Sequence, residues 1–346
     1  MRALVFEKPD VVHYVTNHPI PELNYGEVLI QVGSCGICGT CIHVFRGEHK
    51  TATYPIIAGH EFFGRLVAAK GTLPDHLSIN DLVAVQPIVS CGYCSSCQKG
   101  YSNICEHLKI IGVHENGGYA DYVKAPIQRL FHLSERIDQA LAPLIEPLAV
   151  AIHDVRCSGL QRLENIIIFG AGPIGILLAI VARHFGALNV VISEVNPYRT
   201  RLAESMGFHV HNPDYSTLED VMRQLSINGF DIAFDAAGFP SALNDCIHIL
   251  KPAGRVIAVA ISPGDIPIDG QSMFFGELKV IGVRLHSRDD FAAAVRLIES
   301  GVLNTCLKAL ITDCIDITEG ADAFQRIQHR TDVMKTIIRI NEMQRL

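Results

Sequence analysis

A short region near the start of the chain concentrates side chains that bind metal ions and transfer protons. It contains Cys38 and, further on, the adjacent His60 and Glu61. A thiolate, an imidazole and a carboxylate together favour Zn²⁺, and a catalytic zinc keeps one coordination position open. Thr40 and His43 follow the cysteine closely, and a hydroxyl near an imidazole can relay a proton. These five residues predict a catalytic zinc site, although a single buried cysteine or histidine is more often structural.

A second group of metal-binding side chains consists of four regularly spaced cysteines. They are separated by two, two and seven residues, at Cys91, Cys94, Cys97 and Cys105. Four thiolates complete a tetrahedral zinc site with no vacant position, so the metal would fold the chain and take no part in chemistry. We therefore predict a structural-zinc lobe at about residues 88–108, with a redox-active cysteine pair as the alternative.

A further carboxylate, Glu146, lies in an apolar segment. Its neighbours are Ile145, Pro147 and Leu148. Burying a carboxylate in such surroundings is costly unless a metal, a water molecule or a cation pairs with it. We predict that Glu146 binds the catalytic zinc directly or through water, in alternation with Glu61. The alternative is a favourable interaction with the start of a helix.

A glycine-rich turn follows an apolar strand that is predicted at residues 165–169. The turn comprises Gly170, Ala171, Gly172, Pro173, Ile174 and Gly175. Glycines at such a turn let a pyrophosphate approach the backbone amides of the following helix. Glu194 comes after the next predicted strand, where a carboxylate binds the adenosine ribose hydroxyls and repels a 2′-phosphate. The pattern predicts NAD in preference to NADP, and Arg199 would weaken that preference unless it pairs with an acid.

The order of apolar runs predicts two kinds of domain. Up to about residue 133, short runs alternate with glycine, proline and asparagine, which is typical of a compact β domain. Strands and helices alternate over the following segment, which predicts a doubly wound parallel sheet. Strands are predicted at 28–32, 63–68, 82–86, 119–123, 190–193, 230–236, 254–260 and 279–283, and helices at 197–207, 241–250 and 291–300.

Composition excludes several partners. The chain has 346 residues, which suffices for two domains, and a formal charge of −7 gives no general attraction to nucleic acid or anionic membranes. The longest uncharged run, 166–182, is interrupted by glycine and proline and is shorter than the roughly 20 residues of a membrane span.

Eleven cysteines without a secretion signal favour the cytoplasm. We expect the isolated cysteines, Cys157, Cys246, Cys306 and Cys314, to be buried.

The residues around the predicted catalytic zinc resemble a known family. Residues 36–40, His43 and residues 59–61 are similar to the catalytic-zinc region of the medium-chain, zinc-dependent alcohol, polyol and threonine dehydrogenases, and the resemblance covers essentially the whole chain. It implies a GroES-like β-rich catalytic domain at 1–147 and 287–346, and a Rossmann NAD-binding domain at 148–286. It also implies two zinc ions per chain, hydride transfer between a secondary alcohol and NAD, and a homodimer or homotetramer.

One position departs from this family. The family usually has aspartate where this chain has Cys41, and that aspartate orients the zinc-binding imidazole. Either another acid replaces it or His60 is held less firmly. Cys35, Cys38 and Cys41 also form a CxxCxxC run, which leaves a thiol switch or altered metal binding open.

Three short motifs bear on the substrate. The sequences at 60–64, 112–118 and 144–147 resemble the sugar-acid branch of the family, which includes L-gulonate and L-galactonate 5-dehydrogenases and starvation-sensing homologues. A sugar-acid carboxylate would bind a cation, and the predicted cations are Arg46, His114, Arg284, His286 and Arg288. The alternatives are a neutral polyol or threonine as substrate, or a catalytically silent nucleotide-binding sensor.

Overall fold

The computed structural model describes residues 1–261, 264–327 and 330–343. The chain divides into two compact units, Met1–Glu146 with Ser287–Leu346, and Pro147–His286. Within the described residues, no helix has both the length and the apolar character that crossing a membrane requires.

The strands and helices are numbered in chain order. The strands are β1 (Ala3–Lys8), β2 (Val11–Val15), β3 (Glu27–Ile37), β4 (Glu61–Lys70), β5 (Leu82–Val85), β6 (Ile88–Val89), β7 (Lys109–Ile110), β8 (Tyr122–Pro126), β9 (Leu130–His132), β10 (Asn165–Phe169), β11 (Asn189–Ser193), β12 (His209–His211), β13 (Phe230–Asp235), β14 (Leu250–Ala258), β15 (Lys279–Gly282), β16 (Ile311–Asp316) and β17 (Lys335–Arg339). The helices are α1 (Gly39–Phe45), α2 (Ser95–Gln98), α3 (Ile145–Cys157), α4 (Pro173–His184), α5 (Pro197–Ser205), α6 (Leu218–Leu225), α7 (Ala242–His248), α8 (Gly270–Gly276), α9 (Arg288–Ser300), α10 (Asn304–Leu310) and α11 (Gly320–Ile327).

The first unit is built on a mostly antiparallel sheet. The strand order is β16-β17-β3-β4-β5-β9, and β8 also pairs with β3. Gly36 of β3 lies opposite Glu61 of β4, and Ile37 of β3 lies opposite Thr336 of β17. The pairing therefore brings the C-terminal strand next to the segments that contain the predicted zinc ligands.

The second unit contains a parallel sheet of six strands, in the order β12-β11-β10-β13-β14-β15. Its central strand β10 has the bounds that its apolar run predicts, and Ile166, Ile167 and Ile168 are fully buried. Such continuous burial is expected when helices cover both faces of a parallel sheet. The predicted fold class, a β-rich domain combined with a doubly wound sheet, is confirmed.

Several element boundaries differ from the predictions, and two of these differences have a clear structural cause. The strand predicted at 119–123 lies at Tyr122–Pro126, because Tyr119 instead donates its backbone N–H to the carbonyl of Ala58. The strand predicted from residue 254 begins at Leu250, which pairs with Phe230 before the register shifts. In both cases a contact distant in sequence sets the boundary.

The prediction that four isolated cysteines are buried is wrong for three of them. Cys246 is buried, but Cys157 and Cys314 are exposed and Cys306 is only partly buried. Cys157 is the last residue of α3, and Cys314 lies on the edge strand β16. Apolar neighbours in sequence do not bury a residue that faces the opposite side of its strand or helix.

Candidate functional site

Glycines fix the backbone immediately before His60. Gly59 has φ = +95°, and a Cβ atom there would lie 2.8 Å from the Sγ of Cys35. A Cβ atom on Gly112 or Gly117 would lie 2.2 Å from the carbonyl oxygen of Gly59. The amide of Gly118 donates to that same oxygen at 2.7 Å. The glycines of the 112–118 motif therefore hold the loop that presents His60.

Three metal-binding side chains meet at the start of α1. Cys38 occupies the N-cap position of this helix, and Cys41 lies in its first turn. The Sγ of Cys38 is 3.2 Å from the Nε2 of His60 and 3.5 Å from the Sγ of Cys41. One donor atom from each residue lies within 4.8 Å of the others. Two thiolates on a tetrahedral zinc are about 3.8 Å apart, because Zn–S bonds are about 2.3 Å long. The spacing fits a zinc ion.

His60 also belongs to a group with two carboxylates. Donor atoms of His60, Glu61 and Glu146 lie within 4.8 Å of one another, and all three residues are buried. Burial raises the pKa of Glu61 to about 7, although Lys335 opposes this effect. Burial lowers the pKa of His60, but the charge of Cys38, its hydrogen bond to the ring and the carboxylates of Glu146 and Glu61 together raise that pKa to about 10. Two buried carboxylates beside an imidazole and a thiolate are a donor set that suits a divalent cation.

Lys335 is a site residue that the sequence analysis missed. It is 2% exposed, and its Nζ donates to Glu61 Oε1 at 2.6 Å and to the carbonyl of Ile37 at 3.2 Å. Gly36 leaves room for this pair, since a Cβ atom there would lie 2.2 Å from Glu61 Oε2. The sequence feature that could have indicated this pair is a lysine at the start of an apolar strand. A lysine buried in such a strand requires an acidic partner for its ammonium group.

The two proposed relay residues lie one helical turn apart. Thr40 is in the first turn of α1 and is partly buried, whereas His43 is exposed. Residues three apart share a helix face, so both side chains lie on the same side of α1. The Nδ1 of His43 is 2.7 Å from a carboxylate oxygen of Glu48. Their part in proton transfer stays a prediction.

The four cysteines of the predicted lobe form a single cluster. Donor atoms of Cys91, Cys94, Cys97 and Cys105 lie within 4.8 Å of one another. The Sγ–Sγ distances are 3.5 Å for Cys91–Cys105, 3.8 Å for Cys94–Cys105 and 4.0 Å for Cys91–Cys97. These distances lie on either side of the roughly 3.8 Å expected between two sulfur atoms that bind one tetrahedral zinc ion. The backbone amide of His107 donates to the Cys105 sulfur at 3.3 Å, which stabilises a thiolate.

We expect Cys97→Ser to remove one zinc per chain and to lower thermal stability, because a structural zinc contributes folding free energy directly. Zinc content after dialysis and the unfolding temperature check this. Cys157→Ser is the matched control, since Cys157 is exposed and outside the cluster. A Cys97→Ser protein that retains all its zinc and its unfolding temperature would contradict the assignment.

The glycine-rich turn of the second unit has the geometry of a phosphate-binding loop. Gly170 has φ = +98°, and a Cβ atom on Gly175 would lie 2.0 Å from the carbonyl oxygen of Gly170. Gly172 is the N-cap of α4, Pro173 is its first residue and Ile174 follows. A Cβ atom on Gly172 would meet nothing within 4 Å, so there is open space beside this helix N-terminus. That space and the helix amides suit a pyrophosphate.

Glu194 lies against the same turn. It is 8% exposed, and its carboxylate accepts the amides of Ala171 at 2.8 Å, Val195 at 2.9 Å and Asn196 at 2.8 Å. The Nη1 of Arg199 lies 3.9 Å from this carboxylate, so Arg199 pairs with an acid. The roles of these residues in cofactor binding stay predictions.

We expect Glu194→Ala to weaken NADH binding by about tenfold, which corresponds to roughly 1.4 kcal/mol. We also expect the substitution to reduce the ratio of the affinity for NADH to the affinity for NADPH. The loss of the carboxylate removes an acceptor for ribose hydroxyls and a charge that repels the 2′-phosphate. Dissociation constants from cofactor fluorescence check this, with Glu204→Ala as a control at an exposed acid of α5. Unchanged constants for both cofactors would contradict the role of Glu194.

His114, one of the predicted substrate-binding cations, is hydrogen-bonded at both ring nitrogens. Its Nδ1 accepts the backbone N–H of Ile110 at 3.0 Å, and its Nε2 lies 2.8 Å from the Oγ1 of Thr51. A nitrogen that accepts from a backbone amide carries no proton, so these bonds hold the neutral tautomer. His114 therefore fixes the 112–118 motif.

The other predicted cations occupy different environments. His286 is completely buried, and its part in substrate binding stays a prediction. The guanidinium of Arg288 lies 4.4 Å from the ring centroid of Phe131 and donates to the carbonyl of Gln128, so it is engaged within the first unit. Arg46 and Arg284 are exposed.

Comparisons with known proteins agree with this arrangement. Residues 24–135 match the alcohol dehydrogenase GroES-like domain, and residues 173–300 match the zinc-binding dehydrogenase family. The chain is 34% identical to the L-threonine 3-dehydrogenase of Aeromonas salmonicida, over 94% of this chain and 95% of the relative. An alcohol dehydrogenase of E. coli CFT073 in complex with NADH has a similar structure, with a TM-score of 0.91, 27% identity, and coverage of 98% of this chain and 99% of the other. The L-idonate 5-dehydrogenase of E. coli has a TM-score of 0.88 and 25% identity, with coverage of 98% and 97%.

The fold and the metal-binding clusters define a zinc-binding dehydrogenase. The chain belongs to the zinc-dependent medium-chain alcohol dehydrogenase family. It is therefore an oxidoreductase that acts on CH–OH groups and uses zinc and a nicotinamide dinucleotide. The predicted family resemblance, enzyme class and cofactors are confirmed.

Proposed function

We propose that this enzyme oxidises a secondary hydroxyl of a sugar acid to a ketone, with L-gulonate or L-galactonate oxidised at C5 and NAD⁺ as hydride acceptor. The observation that carries the proposal is a buried metal-binding cluster at one end of α1, with cationic side chains at and beyond the other end. The first feature suits alcohol oxidation, and the second suits a substrate that bears a carboxylate.

The proposed zinc ligands in the first unit are Cys38, His60 and Glu146. Glu61 is proposed to alternate with Glu146 as a zinc ligand. It is the alternate of the two because Lys335 already donates a hydrogen bond to its carboxylate at 2.6 Å. A bound zinc ion supplies a Lewis acid that favours deprotonation of an alcohol at neutral pH. Burial of His60, Glu61 and Glu146 limits the access of water, which strengthens electrostatic interactions at the reacting hydroxyl.

We propose that the hydroxyl proton leaves through Thr40 and His43. The Thr40 hydroxyl can accept and donate a proton in one hydrogen-bonded chain, and the His43 imidazole can pass a proton to solvent. His43 suits the outer position because it is exposed and hydrogen-bonded to Glu48. The contact with Glu48 also orients the imidazole ring.

The preference for a carboxylate-bearing substrate rests on the charge beyond α1. Within residues 43–50, Arg46 and Lys50 are cationic, His43 and His49 can become so, and Glu48 is the single acid. Arg46 is five residues after Cys41, which is about 8 Å along a helix axis. A guanidinium binds a carboxylate through two parallel hydrogen bonds. Arg46 is therefore the proposed carboxylate-binding residue.

L-Threonine is the second candidate substrate. The observation that favours it is the 34% identity to an enzyme named L-threonine 3-dehydrogenase. Threonine is also a secondary alcohol with a carboxylate, but its ammonium requires an additional acceptor. Neutral polyols are the third candidate.

A screen of NAD⁺ reduction by the zinc-replete protein tests the proposal. The substrates are L-gulonate, L-galactonate, L-idonate, sorbitol, 2,3-butanediol and L-threonine. We expect the highest kcat/KM with L-gulonate or L-galactonate. Turnover of threonine or polyols without hexonates would overturn the substrate assignment, and no turnover of any secondary alcohol would favour the nucleotide-binding sensor.

The role of Arg46 is tested with the same screen. We expect Arg46→Gln to raise the KM for hexonates by at least about tenfold and to leave that for sorbitol unchanged, because only the former carry the carboxylate. Lys50→Gln is the control at a neighbouring exposed cation. Equal effects of Arg46→Gln on charged and neutral substrates would contradict carboxylate binding.

A further inference from the structure

We propose that Cys41 is a direct ligand of the catalytic zinc, so that two thiolates, from Cys38 and Cys41, and the imidazole of His60 hold the ion. The inference rests on the proposed function, because it concerns the same metal site. It assigns a coordinating role to a residue that stands where the resembling family has aspartate.

The first argument is the distance between the sulfur atoms. The Sγ atoms of Cys38 and Cys41 are 3.5 Å apart, which equals the Cys91–Cys105 distance in the four-cysteine cluster. The cluster spans 3.5 to 4.0 Å over its measured sulfur pairs. Cys41 is therefore as close to Cys38 as thiolates that share a tetrahedral zinc.

The second argument is the position of both cysteines on their helix. Cys38 is the N-cap of α1 with an extended backbone, φ = −124° and ψ = 174°, and Cys41 is the third helical residue. Cys94 is likewise the extended N-cap of α2, with φ = −70° and ψ = 166°, and Cys97 is its third residue. The same two-residue spacing across a helix start thus recurs at the cluster that suits structural zinc.

The third argument is the surroundings of Cys41. The residue is 1% exposed, and the hydroxyl of the fully buried Tyr119 lies 3.2 Å from its Sγ and 2.9 Å from the carbonyl oxygen of Gly36. This hydroxyl therefore holds the Cys41 sulfur in place from outside the metal-binding group. Among the described residues, the buried Nδ1 of His60 has no hydrogen-bond partner. Cys41 therefore does not orient the imidazole, and its sulfur faces the other metal-binding atoms.

A donor set of two thiolates and one imidazole is one that catalytic zinc accepts, with a fourth position left open. Glu146, which lies near His60, would then be available for the fourth position. The arrangement thus explains why more metal-binding side chains lie near His60 than one tetrahedral zinc ion can bind at once. It makes Cys41 a ligand and not a sulfur that merely fills space.

Cobalt substitution measures the number of metal–sulfur bonds without reference to activity. Cobalt–thiolate charge-transfer absorption in the near ultraviolet scales with the number of coordinated sulfurs. With both sites loaded, the proposal gives six such bonds per chain, four in the cysteine cluster and two at the catalytic site. We expect Cys41→Ser to lower this absorbance by about one-sixth while two cobalt ions remain bound.

Two further variants separate coordination from orientation of His60. Cys41→Asp supplies a carboxylate that can accept from His60 but removes the sulfur, so we expect the same loss of about one-sixth. Cys35→Ala is the control, because Cys35 is buried nearby but lies outside the metal-binding group. We expect it to retain the full absorbance.

Undiminished absorbance in both Cys41→Ser and Cys41→Asp, with Cys38→Ser reduced, would overturn the coordination by Cys41 and leave the proposed function intact. Undiminished absorbance in Cys38→Ser as well would overturn the catalytic zinc itself. Loss of one cobalt ion from Cys41→Asp, with normal NADH binding, would support the proposal, because an orienting carboxylate alone does not replace a missing ligand.

Discussion

His60→Ala is expected to lower kcat at least about 10³-fold while the dissociation constant of NADH stays within about twofold of the wild-type value. Loss of the proposed zinc ligand would remove a Lewis acid whose stabilisation of developing negative charge amounts to several kcal/mol, and each 1.36 kcal/mol is a factor of ten in rate. We expect NADH binding to be retained because the proposed cofactor-binding residues, the glycine-rich turn and Glu194, belong to the other compact unit. Steady-state kinetics and NADH fluorescence measure the two quantities.

His132→Ala is the matched control for this prediction, since His132 is an exposed histidine of the same unit. We expect its kcat and NADH affinity to equal those of the wild type. Cys38→Ser should reproduce the His60→Ala result, because the two side chains lie 3.2 Å apart and would share one ion. Substantial activity in either zinc-site variant would show that the reaction does not depend on this cluster.

Lys335→Met is expected to lower the unfolding free energy by about 3–5 kcal/mol, which corresponds to a fall in the unfolding temperature of roughly 4–7 °C for a chain of 346 residues. The substitution leaves the Glu61 carboxylate, 2% exposed, without the ammonium that now lies 2.6 Å away. We expect Lys335→Met combined with Glu61→Gln to recover most of the loss, because the buried charge is then also removed. Calorimetry measures the unfolding temperatures.

Lys308→Met is the control for Lys335→Met. Lys308 pairs with Asp138 at 2.7 Å, but its side chain is 59% exposed, and exposed ion pairs contribute about 0–1 kcal/mol. Equal unfolding temperatures for Lys335→Met and wild type, or no recovery in the double variant, would show that the buried pair is not a stabilising unit.

The parts of the molecule that the sequence predicts correctly depend on local spacing. The four cysteines at 91–105 lie in one short segment, so their separation alone brings the sulfur atoms together. The strand at 165–169 and the turn at 170–175 are also local, because an apolar run leads directly into glycines and a helix. The zinc-dependent enzyme class follows from such segments.

The parts that the sequence does not predict depend on contacts between distant segments. Lys335 meets Glu61 only because β17 and β4 both pair with β3, and the two residues are 274 positions apart. The surroundings of His114 and His286 are a second example, because the backbone amide of Ile110 donates to Nδ1 of the first and packing buries the second. Neither the burial of a histidine nor the tautomer it adopts can be read from its neighbours in sequence.

Transfer of deuterium from L-gulonate deuterated at C5 to NAD⁺ tests the central claim most directly. We predict that the zinc-replete enzyme forms NADH with one deuterium per turnover, as measured by mass spectrometry, and that His60→Ala forms none. NADH without deuterium, or labelled NADH at an undiminished rate in His60→Ala, would contradict zinc-dependent hydride transfer from the substrate carbon at this site.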